Sequence, residues 1–280
     1  MTEKGELLQW HSAFYAGIQI ELEEEAEHLI FESEHTLSTK PMQIDVLIIK
    51  KNTNRKIKKN IGRLFRKYNI VEYKSPDDYL SIDDFYKVYG YTCFYKSDAR
   101  KVDEIKAEEL TITFACSRYP RDLFRYLNKS QNMILEQQEK GIYYLEGAQF
   151  PMQFLVTSEL PEETNLWLRS LTNRLSECSS AEKLIREYEK HQKDTIYSSV
   201  MEIIVQANVE KFSEVRQMCN ALRELMKDEF EKTREEGSLG KLEEQIRKKV
   251  QKGKTPEQIA DDLEENVETI LPIYHRVVTE

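Results

Sequence analysis

The sequence has no long apolar run. Its longest uninterrupted aliphatic stretch is 46–49, which is far shorter than the ~20 apolar residues that a membrane-spanning helix requires. The chain begins Met1, Thr2, Glu3, Lys4 and lacks the charged-then-apolar pattern of an export signal. We therefore expect a cytoplasmic protein that does not bind membranes.

Cysteine, glycine and proline are also scarce. The four cysteines show neither CxxC spacing nor an adjacent His pair, which excludes a zinc knuckle and a disulfide framework, and we expect buried thiols. They are Cys93, Cys116, Cys178 and Cys219. With 9 Gly, 7 Pro, 40% hydrophobic and 32% charged residues, the composition is typical of a folded globular protein. A length of 280 residues favours two domains.

Charge is distributed unevenly along the chain. The net charge is −9, yet residues 50–67, called here the basic segment, carry nine cations and no acid. These cations are Lys50, Lys51, Arg55, Lys56, Lys58, Lys59, Arg63, Arg66 and Lys67. Residues 21–34, the acidic run, carry seven Glu and no Lys or Arg. Taken alone, either run has a solvated surface as its simplest interpretation.

Hydrophobic periodicity predicts a definite order of elements in the first part of the chain. The order is helix, three strands, helix, strand, then a further helix and a hairpin. The predicted elements are a helix over 6–26, strands over 28–37, 41–51 and 68–75, a helix from the N-cap Ser81 to Tyr95, a strand over 109–116, a helix from Pro120 and a hairpin over 142–159 that turns near Gly147. In the first helix, Glu21 and Glu24 occupy the C-terminal end of the apolar stripe.

From Pro161 onward the pattern is helical, so we predict domains over 1–160 and 161–280. The 3,4 spacing of apolar residues over 215–225 indicates either a short coiled-coil seam or ordinary helix packing. The end of the chain has helix-turn-helix spacing, with Thr255 as N-cap and Gln258 closing a capping box. Its second helix is acidic over 261–265, which suits a packing or self-association element better than a DNA reader.

Two strands carry charges beside apolar residues. Because strand side chains alternate between faces, Asp45 shares a face with Leu47 and Ile49. Glu72 and Lys74 share a face with Ile70, opposite Val71 and Tyr73. These charges therefore belong to the margin of a core, either as an ion pair or edge-strand charge, or as a functional group.

The order of these charges resembles the PD-(D/E)xK nuclease superfamily. Asp45 in IDVLIIKK and the Glu72-Tyr73-Lys74 triplet in VEYKSP match its motif, and the flanking residues resemble the bacterial recombination-promoting nuclease and putative transposase group over roughly 8–170. The resemblance implies an α/β (α+β) protein with a restriction-endonuclease-like core, consisting of helix, three-strand meander, helix and strand, and an all-helical C-terminal region. The chain departs from the family pattern at Ile44, which replaces a proline, and at Lys87 and Tyr91, which stand where some relatives have a glutamine.

The resemblance implies a metal-dependent DNA endonuclease linked to recombination or mobile elements. Asp45, Glu72 and the backbone carbonyl of Tyr73 would form an all-oxygen site for Mg²⁺, with Mn²⁺ as the alternative ion. A metal-bound water would attack the phosphodiester, and Lys74 would orient that water or stabilise the oxyanion. Glu21 is our candidate for a further metal ligand, with Glu24 as its substitute. RNA is an alternative substrate.

The basic segment connects the two candidate catalytic strands, so we expect it to emerge beside the metal site and bind DNA phosphates. We expect the tyrosines of the following helix to be core residues, with base stacking as the alternative. They are Tyr86, Tyr89, Tyr91 and Tyr95. A competing interpretation is a catalytically idle nucleic-acid-binding or scaffold protein that acts through its helical region, for example as a homo-oligomer.

Overall fold

The computed structural model describes residues 8–32, 35–37, 42–44, 47–53, 55–175 and 178–214, and isolated positions between 255 and 274. The chain divides into two compact units, Met1–Ala221 and Leu222–Glu280. The division thus follows Ala221, whereas the sequence predicts it after Leu160.

The first unit contains a seven-stranded mixed sheet. Its strands are β1 (Leu29–Glu32), β4 (Leu47–Lys51), β5 (Tyr68–Lys74), β6 (Leu110–Cys116), β7 (Ile134–Glu139), β8 (Ile142–Glu146) and β9 (Met152–Val156), in the order β1-β4-β5-β6-β9-β8-β7. The strands β5, β6 and β9 run parallel, and the other neighbours are antiparallel. A separate antiparallel pair consists of β2 (His35–Leu37) and β3 (Met42–Ile44). The chain is therefore a mixed α/β protein, as expected.

Seven helices lie in the described part of the first unit. They are α1 (Trp10–Glu21), α2 (Ile82–Ser97), α3 (Arg121–Gln131), α4 (Leu166–Ser170), α5 (Cys178–Lys190), α6 (Thr195–Ala207) and α7 (Val209–Glu214). The predicted start of α2 is confirmed, because the Ser81 side chain caps this helix. Within the described residues, no helix has the length and apolar character needed to cross a membrane.

The two faces of the sheet are covered by different helices. Ile70 of β5 belongs to the core that Phe85 of α2 and Leu123 of α3 help to build. On the opposite face, Tyr73 of β5 stacks on Phe14 of α1 with ring centroids 4.2 Å apart. Thus α1 lies on one face of the sheet, and α2 and α3 lie on the other.

The helices after Pro161 explain the position of the division between units. Both α4 and α6 pack against α1, and the Tyr197 hydroxyl of α6 donates a hydrogen bond of 2.8 Å to Glu23. Trp167 and Leu168 of α4 are buried. Because α1 itself covers the sheet, these helices share one core with the strands.

The edge strand β7 is absent from the sequence-based prediction. Its sequence, ILEQQE, shows no apolar alternation, because most of its side chains are exposed. The predicted hairpin is confirmed as β8 and β9, with Gly147 at a φ of +87° where an L side chain would be strained.

In the second unit, the predicted capping box is confirmed. The Thr255 N–H donates to Gln258 Oε1 at 3.2 Å, and the Gln258 N–H donates to Thr255 Oγ1 at 3.4 Å. The predicted apolar seam over 215–225 and the acidic residues 261–265 lie outside the described residues.

The expectation of buried thiols is correct for Cys116 and wrong for Cys93. Cys116 ends β6 and is 1% exposed, whereas Cys93 is exposed on α2. The reason is the helical period, because α2 turns Val88, Thr92 and Tyr95 inward and leaves Cys93 on its outer side.

Candidate active site

The site is built on the last residues of β5. Glu72 and Lys74 lie on the same face of this strand as Ile70, which packs in the core with α2. Tyr73 lies between them and points to α1, where its ring contacts Phe14. The face assignment made from the sequence is therefore confirmed for β5.

Lys74 is the centre of a small ionic cluster. Its Nζ lies 3.2 Å from Glu72 Oε1 and 2.8 Å from Asp84 Oδ1. The Glu72 side chain is 8% exposed, and the side chains of Lys74 and Asp84 are each 19% exposed. The ammonium thus bridges two carboxylates at the edge of the core, one from β5 and one from α2.

Asp84 was not among the predicted site residues. Its Oδ2 accepts hydrogen bonds from the Ser81 N–H (2.9 Å) and the Ser81 hydroxyl (2.7 Å), and its own N–H donates to Ser81 Oγ (3.1 Å). These bonds form the capping box of α2. The sequence signal was a Ser-x-x-Asp pattern that follows the Glu-x-Lys strand after a short turn.

The environment shifts the pKa of each member of the cluster. Burial raises the pKa of Glu72, and the Lys74 charge offsets this only in part. Burial disfavours the Lys74 ammonium, but the hydrogen bonds and charges of Asp84 and Glu72 outweigh it and raise the pKa of Lys74. Burial opposes ionisation of Asp84 as well, yet Lys74 and Ser81 lower its pKa. Without a bound cation, this cluster holds Lys74 in its charged form.

The other metal ligands predicted beside Glu72 are Asp45 and the backbone carbonyl of Tyr73. Asp45 lies outside the described residues. Tyr73 is aligned with Ala115 in the parallel ladder between β5 and β6, and its buried hydroxyl has no hydrogen-bond partner within the described part of the chain. Among the described residues, no three His, Cys, Asp or Glu side chains are grouped so that they could hold a metal ion.

Glu21 does not join Glu72. It lies at the end of α1, and its Oε1 accepts hydrogen bonds from the Trp167 N–H (3.0 Å) and the Leu168 N–H (3.3 Å) at the start of α4. Its Oε2 lies 2.6 Å from Lys59 Nζ. Both oxygens are therefore engaged, and α1 lies on the face of the sheet opposite Glu72. The proposed substitute, Glu24, is exposed.

The basic segment leaves the sheet at the end opposite Lys74. Lys50 of β4 is aligned with Tyr68, the first residue of β5, and Lys74 lies six residues further along the strand. At about 3.3 Å per residue this is a distance of roughly 20 Å. The expectation that the segment emerges beside Glu72 and Lys74 is therefore wrong, because β4 and β5 join through it at the other end of the ladder.

Most cations of the basic segment have partners within the protein. Three of them pair with the acidic run: Lys50 of β4 with Glu32 of the neighbouring strand β1, Arg55 with Glu27 and Lys59 with Glu21. The rest of the partnered set is Lys51 with the Arg55 carbonyl, Arg63 with Glu139, Arg66 with the Glu108 carbonyl and Lys67 with Glu109. Among the described residues, Lys56 and Lys58 are exposed and have no side-chain partner.

The basic segment is also anchored by apolar side chains. Ile57, Ile61 and Phe65 are buried at intervals of four residues. On α2, Tyr95 is a core residue as expected, whereas Tyr86 is 47% exposed and its hydroxyl lies 2.7 Å from that of Tyr126.

Neither protein-family models, nor curated proteins, nor solved structures gave a match to this chain.

Proposed function

We propose that the protein is a metal-dependent nuclease that hydrolyses phosphodiester bonds of DNA. The observation that supports it is the pairing of Glu72 with Lys74, held side by side at the carboxyl end of a central strand and largely shielded from solvent. A buried ionised pair costs free energy unless its partners are well placed, so its position at a strand end suits a chemical role.

The donor chemistry fits a hard divalent cation. Glu72, with Asp45 and the Tyr73 carbonyl, would hold Mg²⁺ or Mn²⁺ through oxygen ligands alone. Such an ion, when bound, supplies a water of lowered pKa and offsets charge on the phosphate. Lys74, two residues from Glu72 on the same face, would orient the attacking water or stabilise the developing oxyanion. Glu21 is outside this proposal because its carboxylate is engaged by Lys59 and α4.

The test is nicking of supercoiled plasmid with Mg²⁺, with EDTA, and with the Lys74→Ala variant. We expect nicking that requires metal and falls by at least about 100-fold in the variant. Lys96→Ala is the control, because Lys96 also forms an ion pair, with Asp103, but this pair is more exposed and lies at the far end of α2. Cleavage by Lys74→Ala at the wild-type rate would contradict the proposal. If DNA stays intact, RNA substrates are tested next.

A second candidate is a catalytically idle scaffold protein with the same fold. It is favoured by the internal ion pairs of the basic segment, which already satisfy cations that a nucleic acid would otherwise neutralise. Calorimetry with millimolar Mg²⁺ separates the two. Metal uptake that Asp45→Asn abolishes supports the nuclease, and no uptake by the wild type supports the scaffold. The link to recombination or mobile elements rests on the sequence resemblance.

A further inference from the structure

Lys74 has two carboxylate partners, and only one of them is needed for metal binding in the proposed site. We propose that Asp84 is a positioning residue that retains the Lys74 ammonium, so that Glu72 can give its oxygens to the metal ion. This inference rests on the proposed function. It assigns a role to a residue that the Glu-x-Lys pattern does not contain.

The geometry creates a conflict that Asp84 resolves. Glu72 and Lys74 are adjacent on one face of the strand, and their charged atoms approach to 3.2 Å. An ammonium paired with Glu72 competes with a cation for the same carboxylate. Asp84 lies closer to the ammonium, at 2.8 Å, and therefore offers Lys74 a partner that does not have to bind metal.

Asp84 is also fixed better than a surface carboxylate would be. Its Oδ2 accepts two hydrogen bonds from Ser81, which leaves Oδ1 directed at Lys74. The capping box fixes the first turn of α2, and that turn follows β5 after a short loop. The start of α2 thus fixes the position of the Lys74 ammonium. The side chain of Lys74 has four flexible methylenes and could not hold this position alone.

The first test reads the ammonium without metal or substrate. In ¹⁵N-lysine spectra assigned with Lys74→Arg, we expect the Lys74 ammonium of the wild type to show slow proton exchange, as a hydrogen-bonded group does. Asp84→Asn should speed this exchange, because it removes the 2.8 Å contact and leaves the 3.2 Å contact with Glu72. Asp83→Asn is the matched control, since it removes the same charge from an exposed position in the same turn, and it should keep the protection.

The second test is the Mg²⁺ affinity measured by calorimetry. Asp84→Asn should weaken Mg²⁺ binding by about tenfold, as loss of a residue that supports a metal ligand typically does, and Asp83→Asn by much less. Ser81→Ala removes the hydroxyl that caps α2 but keeps the Asp84 carboxylate and its hydrogen bond from the backbone N–H at position 81, so its loss should be smaller. A loss in Ser81→Ala equal to that in Asp84→Asn would assign the effect to the cap and overturn the inference.

Failure of this inference is distinguishable from failure of the proposed function. A wild-type protein that protects the ammonium and binds Mg²⁺ but cleaves no nucleic acid overturns the nuclease alone. A wild-type protein that cleaves DNA, with Asp84→Asn matching it in ammonium exchange and Mg²⁺ affinity, overturns the positioning role alone. No Mg²⁺ uptake by the wild type overturns both.

Discussion

At the scale of single residues, Glu21 shows how a charge inside an apolar stripe is used for packing. One of its oxygens accepts hydrogen bonds from the N–H groups of Trp167 and Leu168 in the first turn of α4, where the helix dipole favours a negative charge. The other oxygen binds Lys59 from the basic segment. A single carboxylate therefore joins α1, α4 and the basic segment.

The pKa of Glu21 gives a signed prediction. Burial raises this pKa, and Lys59 and the two amide groups offset the rise only in part. The folded protein then binds the Glu21 proton more tightly than the unfolded chain, so the wild type should gain stability relative to Glu21→Gln as the pH falls from neutral toward the ordinary Glu pKa of about 4.3. Urea unfolding of both proteins across this pH range measures it. A wild type that loses stability relative to the variant over this range would contradict the raised pKa.

The two described free thiols should differ in reactivity. Burial raises the pKa of Cys116 to about 12, and its side chain is inaccessible, whereas Cys93 is exposed. In a Cys178→Ser, Cys219→Ser background, a thiol reagent at neutral pH should label Cys93 in the native protein and Cys116 only after unfolding. Mass spectrometry of the labelled peptides measures this. Rapid native labelling of Cys116 would contradict its burial.

At the scale of elements, the basic segment is a bound loop and not a free arm. Its apolar residues Ile57, Ile61 and Phe65 enter the core, and its cations reach acids on β1, β7 and the turn before β6. Exposed ion pairs contribute little each, about 0–1 kcal/mol. The apolar anchors therefore dominate the attachment of the segment.

This arrangement predicts which cations bind nucleic acid. The double variant Lys56→Ala, Lys58→Ala removes two exposed cations that have no side-chain partner among the described residues, and it should reduce the slope of log affinity against log salt by about two. The matched double variant Arg63→Ala, Lys67→Ala removes two cations that pair with Glu139 and Glu109, and the slope should change by less. Fluorescence anisotropy of a labelled DNA duplex at several salt concentrations measures both. Equal changes would show that the internal pairs do not compete with phosphate.

The sequence predicts the elements better than their ends and directions. Periodicity predicts α1, β5, α2, β6 and the β8–β9 hairpin, because each has an apolar face. The position of the basic segment follows from chain order instead, because the segment leads from the end of β4 into the start of β5, whereas Lys74 is the last residue of β5. The expectation that it emerges beside Lys74 overlooks this order. Periodicity does not predict β7, whose exposed side chains carry no apolar alternation.

The sequence also predicts part of the candidate site. Alternation along β5 places Glu72 and Lys74 on one face, and the structure agrees. The contact between Lys74 and Asp84 depends on the angle between β5 and α2, which no local pattern encodes. The sequence indicates the Ser81 cap, but nothing in it indicates that the other oxygen of Asp84 contacts Lys74.

At the scale of the whole molecule, the first unit depends on helices that follow the sheet in sequence. A chain that ends at Ala221 should unfold cooperatively, because it retains α4 and α6 on α1. A chain that ends at Leu160 loses the buried side chains of Trp167, Leu168 and Leu171, which should cost about 5 kcal/mol or more. Thermal unfolding followed by circular dichroism compares the two. A cooperative transition in the shorter chain at the same temperature would contradict the shared core.

The outer border of the sheet has a consequence for solubility at high concentration. Within the described residues, β7 has no neighbour on its outer side, yet it carries the exposed Glu136, and its pairing with β8 is irregular between Gln137 and Glu139. Like charges brought together and a kinked backbone both oppose the addition of a strand from another copy. This border of the sheet therefore resists growth into filaments.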